Sequence, residues 1–105
     1  MLTDTQRLDD SEKIRNYVNA VLCEKDHLET NRFPLSEQIL LRNGRPCGIC
    51  FFLHGPRSVC LTAIWDADRS RIVFYSSRGE CFQKTELVMP AATHSIATWA
   101  AAALA

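Results

Sequence analysis

Apolar positions along the chain change period once. Over residues 9–29, Ile14, Tyr17, Val18, Val21, Leu22 and Leu28 fall near one face at helical spacing. Glu12, Lys13, Arg15, Asn16, Asn19, Glu24 and Asp26 fill most of the remainder. This predicts an amphipathic helix. Asp9 followed by Glu12 resembles a capping box at its start, and Asn31 and Pro34 end it, because proline disfavours a helical residue before it.

From residue 36 the period is two. Strands are expected over 37–42, 47–54 and 58–65, from Ile72-Val73-Phe74-Tyr75, and over 81–87. Asn43-Gly44 marks a tight hairpin, since both residues tolerate positive φ. His54-Gly55-Pro56-Arg57, Asp66–Ser70 and Ser77–Glu80 read as the later turns. Connections this short favour antiparallel pairing, as parallel strands need long crossovers. Residues 93–104 predict a second helix with Thr93 as cap and a thin stripe of Ile96, Trp99, Ala100, Ala103 and Leu104. The expected fold is α+β: an N-terminal helix packed on a four- to five-strand antiparallel meander, with a C-terminal helix. A chain of 105 residues supports one domain, 1–105.

The middle strands are apolar on both faces. Ile49, Phe51 and Leu53 alternate with Cys50, Phe52 and His54; Val59, Leu61, Ala63 and Trp65 alternate with Cys60, Thr62 and Ile64; Ile72 and Phe74 alternate with Val73 and Tyr75. A sheet with one wet face should alternate apolar with polar. One helix covers one face, so the other needs the C-terminal helix, another subunit or a ligand. This points to a protein-binding surface and to a homodimer as the first expectation. Closure of the core by the second helix is the plainer reading.

Composition narrows the rest. Twelve basic and twelve acidic residues cancel, which argues against a general nucleic-acid binder. No apolar run is long enough to span a membrane as a helix. The first residues lack a basic start and an apolar stretch, and five cysteines make an odd count; together these suggest reduced thiols and a cytoplasmic chain.

Three groups of residues bear chemistry. Cys47-Gly48-Ile49-Cys50 is a C-x-x-C pair, which ligates zinc or exchanges thiols in other settings. Inside a strand its sulfurs point to opposite faces, and small buried thiols are the default. A metal site from Cys47, Cys50, His54 and Cys60 would need a bulge to re-aim the chain, and a catalytic Cys–His pair would join Cys50 or Cys60 to His54. Second, residues 35–78 hold six arginines against three acids. Alternate turns of a meander share one end, so Arg42, Arg45, Arg69 and Arg71 should meet there and offer forks for an anion, unless Asp66 and Asp68 pair with them. Third, Trp65 near a strand end could line a pocket beside Tyr75.

Helix, three strands and helix in that order is similar to the double-stranded RNA-binding domain in element order alone. That family carries lysines at the start of its last helix. The stretch from Pro90 to Ser95 has none, and extra strands depart from the pattern, so the family is not assigned. No G-x-S-x-G, H-E-x-x-H, Walker or G-x-G-x-x-G motif occurs, and no cofactor is implied. The leading expectation is a non-catalytic interaction or assembly module that self-associates. The alternatives are an anion- or nucleic-acid-binding domain using the arginine cluster, and a cysteine-based metal or redox protein.

Overall fold

The structure, a computed structural model, describes residues 2–8, 11–30 and 32–88. Strand β1 (Leu2–Gln6) precedes helix α1 (Ser11–Lys25), and five strands follow: β2 (Leu35–Arg42), β3 (Arg45–His54), β4 (Cys60–Asp66), β5 (Arg71–Tyr75) and β6 (Cys81–Leu87). They form one six-stranded sheet in the order β1-β6-β5-β4-β3-β2. The pairs from β2 to β6 are antiparallel, as their short turns require; β1 lies parallel to β6. The sheet is therefore mixed, not the pure antiparallel meander expected. The predicted helix over 93–104 lies outside the described residues, as do the Asp9 cap and Asn31.

Strand β1 carries a single apolar residue in Leu-Thr-Asp-Thr-Gln, so hydrophobic alternation gave no sign of it. It exists because β6 offers a free edge, and the register runs from Leu2 against Gln83 to Gln6 against Leu87.

Helix α1 stops at Lys25, short of the expected residue 29. A Schellman closure ends it: Leu28 N–H donates to Cys23 C=O at 2.8 Å and His27 N–H to Glu24 C=O at 3.2 Å. His27 holds the left-handed conformation that such a cap demands (φ 55°), a place where glycine is usual.

The helix lies across β3 and β4. Its Ile14, Val18, Leu22 and Cys23 pack on Ile49, Phe51 and Leu53 of β3, Leu61, Ala63 and Trp65 of β4, and Ile72 and Phe74 of β5, all buried. The alternation read from the sequence sorts these residues onto one face, and the structure places the helix on it. Tyr17 meets Phe74 edge-on, with centroids 6.0 Å apart. At the Asn43-Gly44 hairpin both residues are left-handed (φ 54° and 77°), the requirement that made the pair a turn signal.

Candidate functional site

Residues alternate with the core set along each strand, so Cys50, Phe52 and His54, Cys60, Thr62 and Ile64, and Val73 and Tyr75 share the opposite face. Among the described residues α1 is the only α-helix, and it occupies the other side. Phe52, Thr62, Ile64 and Tyr75 are half-buried, and Cys50 and Val73 are buried. Charged residues frame the apolar centre: Asp66 sits opposite Arg71, Arg71 opposite Glu86, and Val73 opposite Lys84. The Nε of Arg71 is shielded from solvent and meets no acceptor among the described residues.

Of the metal candidates, Cys47 points to the side that holds α1 and Cys50 to the opposite face, so the strand divides the C-x-x-C pair. Cys47 Sγ instead donates to the Leu40 carbonyl at 3.4 Å. His54 and Cys60 are register partners, and Cys50 lies four residues further along β3. No group of three or more metal-ligating side chains forms among the described residues. His54 Nε2 shares a 2.8 Å hydrogen bond with Ser36 Oγ across β2 and β3. Burial pushes the Cys50 thiol up, with the neighbouring Cys60 adding to the effect. A raised thiol holds less of the thiolate that attacks or ligates.

Arg42, Arg45 and Arg69 lie near one end of the sheet. Arg42 and Arg45 are opposite one another beside the hairpin, and Arg42 reaches Asp68 across the next turn at 3.3 Å. Arg69 pairs with Asp66 at 3.7 Å. Arg42, Asn43, Arg45, Pro46, Cys47 and Asp68 line a shallow depression of about 530 Å³. Arg71 opens β5 opposite Asp66, on the face away from α1. Trp65 and Tyr75 do not share a pocket. Trp65 is fully buried under the helix, and Tyr75 belongs to the other face.

One polar cluster had no counterpart in the sequence reading. Tyr17 O–H donates to Asp4 Oδ2 at 2.9 Å, shares a 2.8 Å bond with Thr85 Oγ1, and accepts from Gln83 Nε2 at 3.2 Å. Gln6 Nε2 also donates to Asp4 Oδ2, and Thr5 N–H to Asp4 Oδ1. The five side chains come from β1, α1 and β6, and their meeting depends on the parallel pairing that hydrophobic spacing could not reveal. The cluster fastens the polar strand β1 under the helix. Hydrogen bonds from Gln6, then Tyr17, then Thr5 hold the Asp4 carboxyl below the usual carboxylate range. Desolvation raises Tyr17, outweighing the Thr85 and Gln83 hydrogen bonds.

A depressed carboxylate adds stability above its unfolded value, about 3.9, and loses it as pH falls through the folded value. A raised phenol adds stability below its unfolded value, about 10, and loses it as pH climbs through the folded one. The cluster therefore contributes most between about pH 4 and about pH 10. Tyr17→Phe is expected to lower stability by about 1 kcal/mol in that interval and to flatten its acid and alkaline edges. Urea midpoints measured at pH 3, 7 and 10.5 check this; a variant with an unaltered pH profile would contradict it.

No family model, no curated protein and no solved structure matches the chain. No helix among the described residues is long and apolar enough to cross a membrane.

Proposed function

We propose that this protein is a non-catalytic assembly module that self-associates through the sheet face opposite α1. The observation that carries the reading is the apolar centre of Phe52, Ile64, Val73 and Tyr75, ringed by charges of both signs. An apolar core inside a polar rim is the ordinary anatomy of an interface. Six strands make a face about 24 Å wide and roughly 20 Å deep. With side-chain relief counted, that approaches the roughly 800 Å² each partner gives to a standard interface.

A second copy suits this face for two reasons. Two-fold symmetry brings the same patch against itself, and a rim holding Asp66 and Glu86 as well as Arg71 and Lys84 is not self-repelling. Five cysteines without a disulfide among the described residues suit the reducing cytosol, where we place the module.

Light scattering at tens of micromolar tests the reading. A particle of twice the 11.9 kDa chain mass is expected. Ile64→Lys puts a charge at the centre of the patch without entering the helix-side core. It should give the single-chain mass with little change in the unfolding midpoint at high dilution. Wild-type protein that stays at 11.9 kDa across the range would overturn the proposal.

Anion binding is the second reading. It rests on like charges, Arg42 and Arg45, held opposite each other across a hairpin, an arrangement that a bound anion would relieve. Asp68 and Asp66 already engage Arg42 and Arg69, which leaves less charge for a ligand. Retention on heparin at low salt, lost in Arg42→Ala/Arg45→Ala, would support it.

A further inference from the structure

The far end of the sheet carries a second basic depression, on the side that holds the helix. Lys25, Asp26, His27, Leu28, Pro56, Arg57 and Val59 line about 420 Å³ between the end of α1 and the β3–β4 turn. The two segments are in register with one another. A Cβ added at Gly55 would lie 3.3 Å from Leu28 Cδ1 and 3.6 Å from Val59 Cγ1, so the turn rests against the helix cap. Gly55 N–H donates to Val59 C=O at 2.8 Å and Val59 N–H to Pro56 C=O at 3.1 Å, which closes the turn tightly around Arg57.

Backbone conformation sets this place apart. His27 (φ 55°), Arg57 (φ 57°) and Ser58 (φ 65°) are all left-handed. Left-handed backbone crowds the Cβ of an L-residue against the following carbonyl, and glycine avoids that crowding. Asn43 and Ser70 are left-handed as well, one in the β2–β3 hairpin, where its side chain suits the turn, and one in the β4–β5 turn; the other three non-glycine cases lie here. Arg57 and Ser58 are consecutive, which doubles the disfavour within one turn. Side chains kept where glycine would be more stable are expected at sites that need those side chains.

What Arg57 and His27 offer is hydrogen-bond donors. Arg57 supplies a guanidinium fork, His27 ring nitrogens and Lys25 an ammonium, against the one carboxylate of Asp26. Among the described residues Arg57 has no acidic partner. Lys25 lines the depression, while its Nζ lies 4.9 Å from the centre of the Phe82 ring on β6. The carbonyl end of a helix opposes an anion, but here the Cys23 and Glu24 carbonyls already accept from the cap. A carboxylate presents two oxygens and a phosphate three or four, which matches donors arriving from three residues.

We infer that Arg57 and His27, with Lys25 at the rim, form a binding site for a phosphate-type oxyanion between the helix cap and the β3–β4 turn. A single chain holds all three residues, so the site stands whether or not the protein self-associates.

The full chain, labelled with ¹⁵N, is titrated with inorganic phosphate, with sodium acetate and with sodium chloride at matched ionic strength. Saturable amide shifts confined to residues 25–28 and 55–59 are expected with phosphate, and weaker ones with acetate. Arg57→Gly and His27→Gly should each weaken phosphate binding at least tenfold while raising the thermal midpoint, because each relieves a left-handed side chain. Arg57→Lys keeps the charge and the strain but loses the fork; it should bind weakly with no gain in stability. Phosphate shifts no larger than those of chloride, unchanged binding in Arg57→Gly, or a lower midpoint in Arg57→Gly would each overturn the inference.

Discussion

Gly48→Ala is expected to destabilise the fold by about 3 kcal/mol, a large share of the roughly 5–15 kcal/mol that holds a small domain together. The cause is local. Gly48 is buried opposite Asp66, and a Cβ there would drive into the backbone carbonyl of Trp65, which cannot swing aside as a side chain can. The bulge between Leu40 and Leu41 lies alongside, and Ala67 N–H donates to the Cys47 carbonyl at 3.0 Å, so the backbone is pinned on both sides. In an ordinary strand alanine replaces glycine with a small gain, since the unfolded chain loses freedom. The sign of the change is therefore diagnostic. A urea midpoint equal to or above that of wild type would show that β3 and β4 do not approach as closely as described.

The second large effect sets two neighbours in β4 against each other. Trp65→Ala should cost about 3–5 kcal/mol, because the indole is fully buried in the core on the helix side of the sheet and its removal leaves a cavity. Ile64→Ala, one residue earlier and pointing the other way, should cost no more than about 1 kcal/mol in the dilute, unassociated chain. Denaturant unfolding at sub-micromolar concentration compares them. Losses of similar size would mean that the Ile64 face is as fully packed as the helix side, and the surface proposed for self-association would not exist.

Much of this was legible in the chain itself, for a physical reason. In β3, β4 and β5 successive side chains point to opposite sides, so alternation alone separates Phe51 from Phe52 and Trp65 from Ile64 whatever the third dimension does. The same parity divided Cys47 from Cys50 and weakened the metal reading before any coordinates. The end shared by Arg42 and Asp68 followed from meander geometry. Three features escaped. Strand β1 is polar, and its place depends on an edge supplied by residues some eighty positions later. The early stop of α1 turns on a left-handed His27, where no glycine announced it. The meeting of Asp4, Tyr17, Gln83 and Thr85 is a product of that same distant pairing. Local pattern records what neighbours along the chain prefer; it is blind to which strand edge is left vacant once the others have paired.

The pairing of Leu2 with Gln83 also orders events in time. Contacts between residues so far apart must close almost the whole chain into a loop, which slows folding compared with joining adjacent hairpins. On a ribosome, the leading strand emerges first yet has nothing to pair with until the final strand appears. Throughout that interval Tyr17 lacks Thr85 and Gln83, and the nascent sheet ends in a bare border. Such borders attract other chains. Synthesis rate and the availability of chaperones should therefore govern the yield of this protein more than its final stability does.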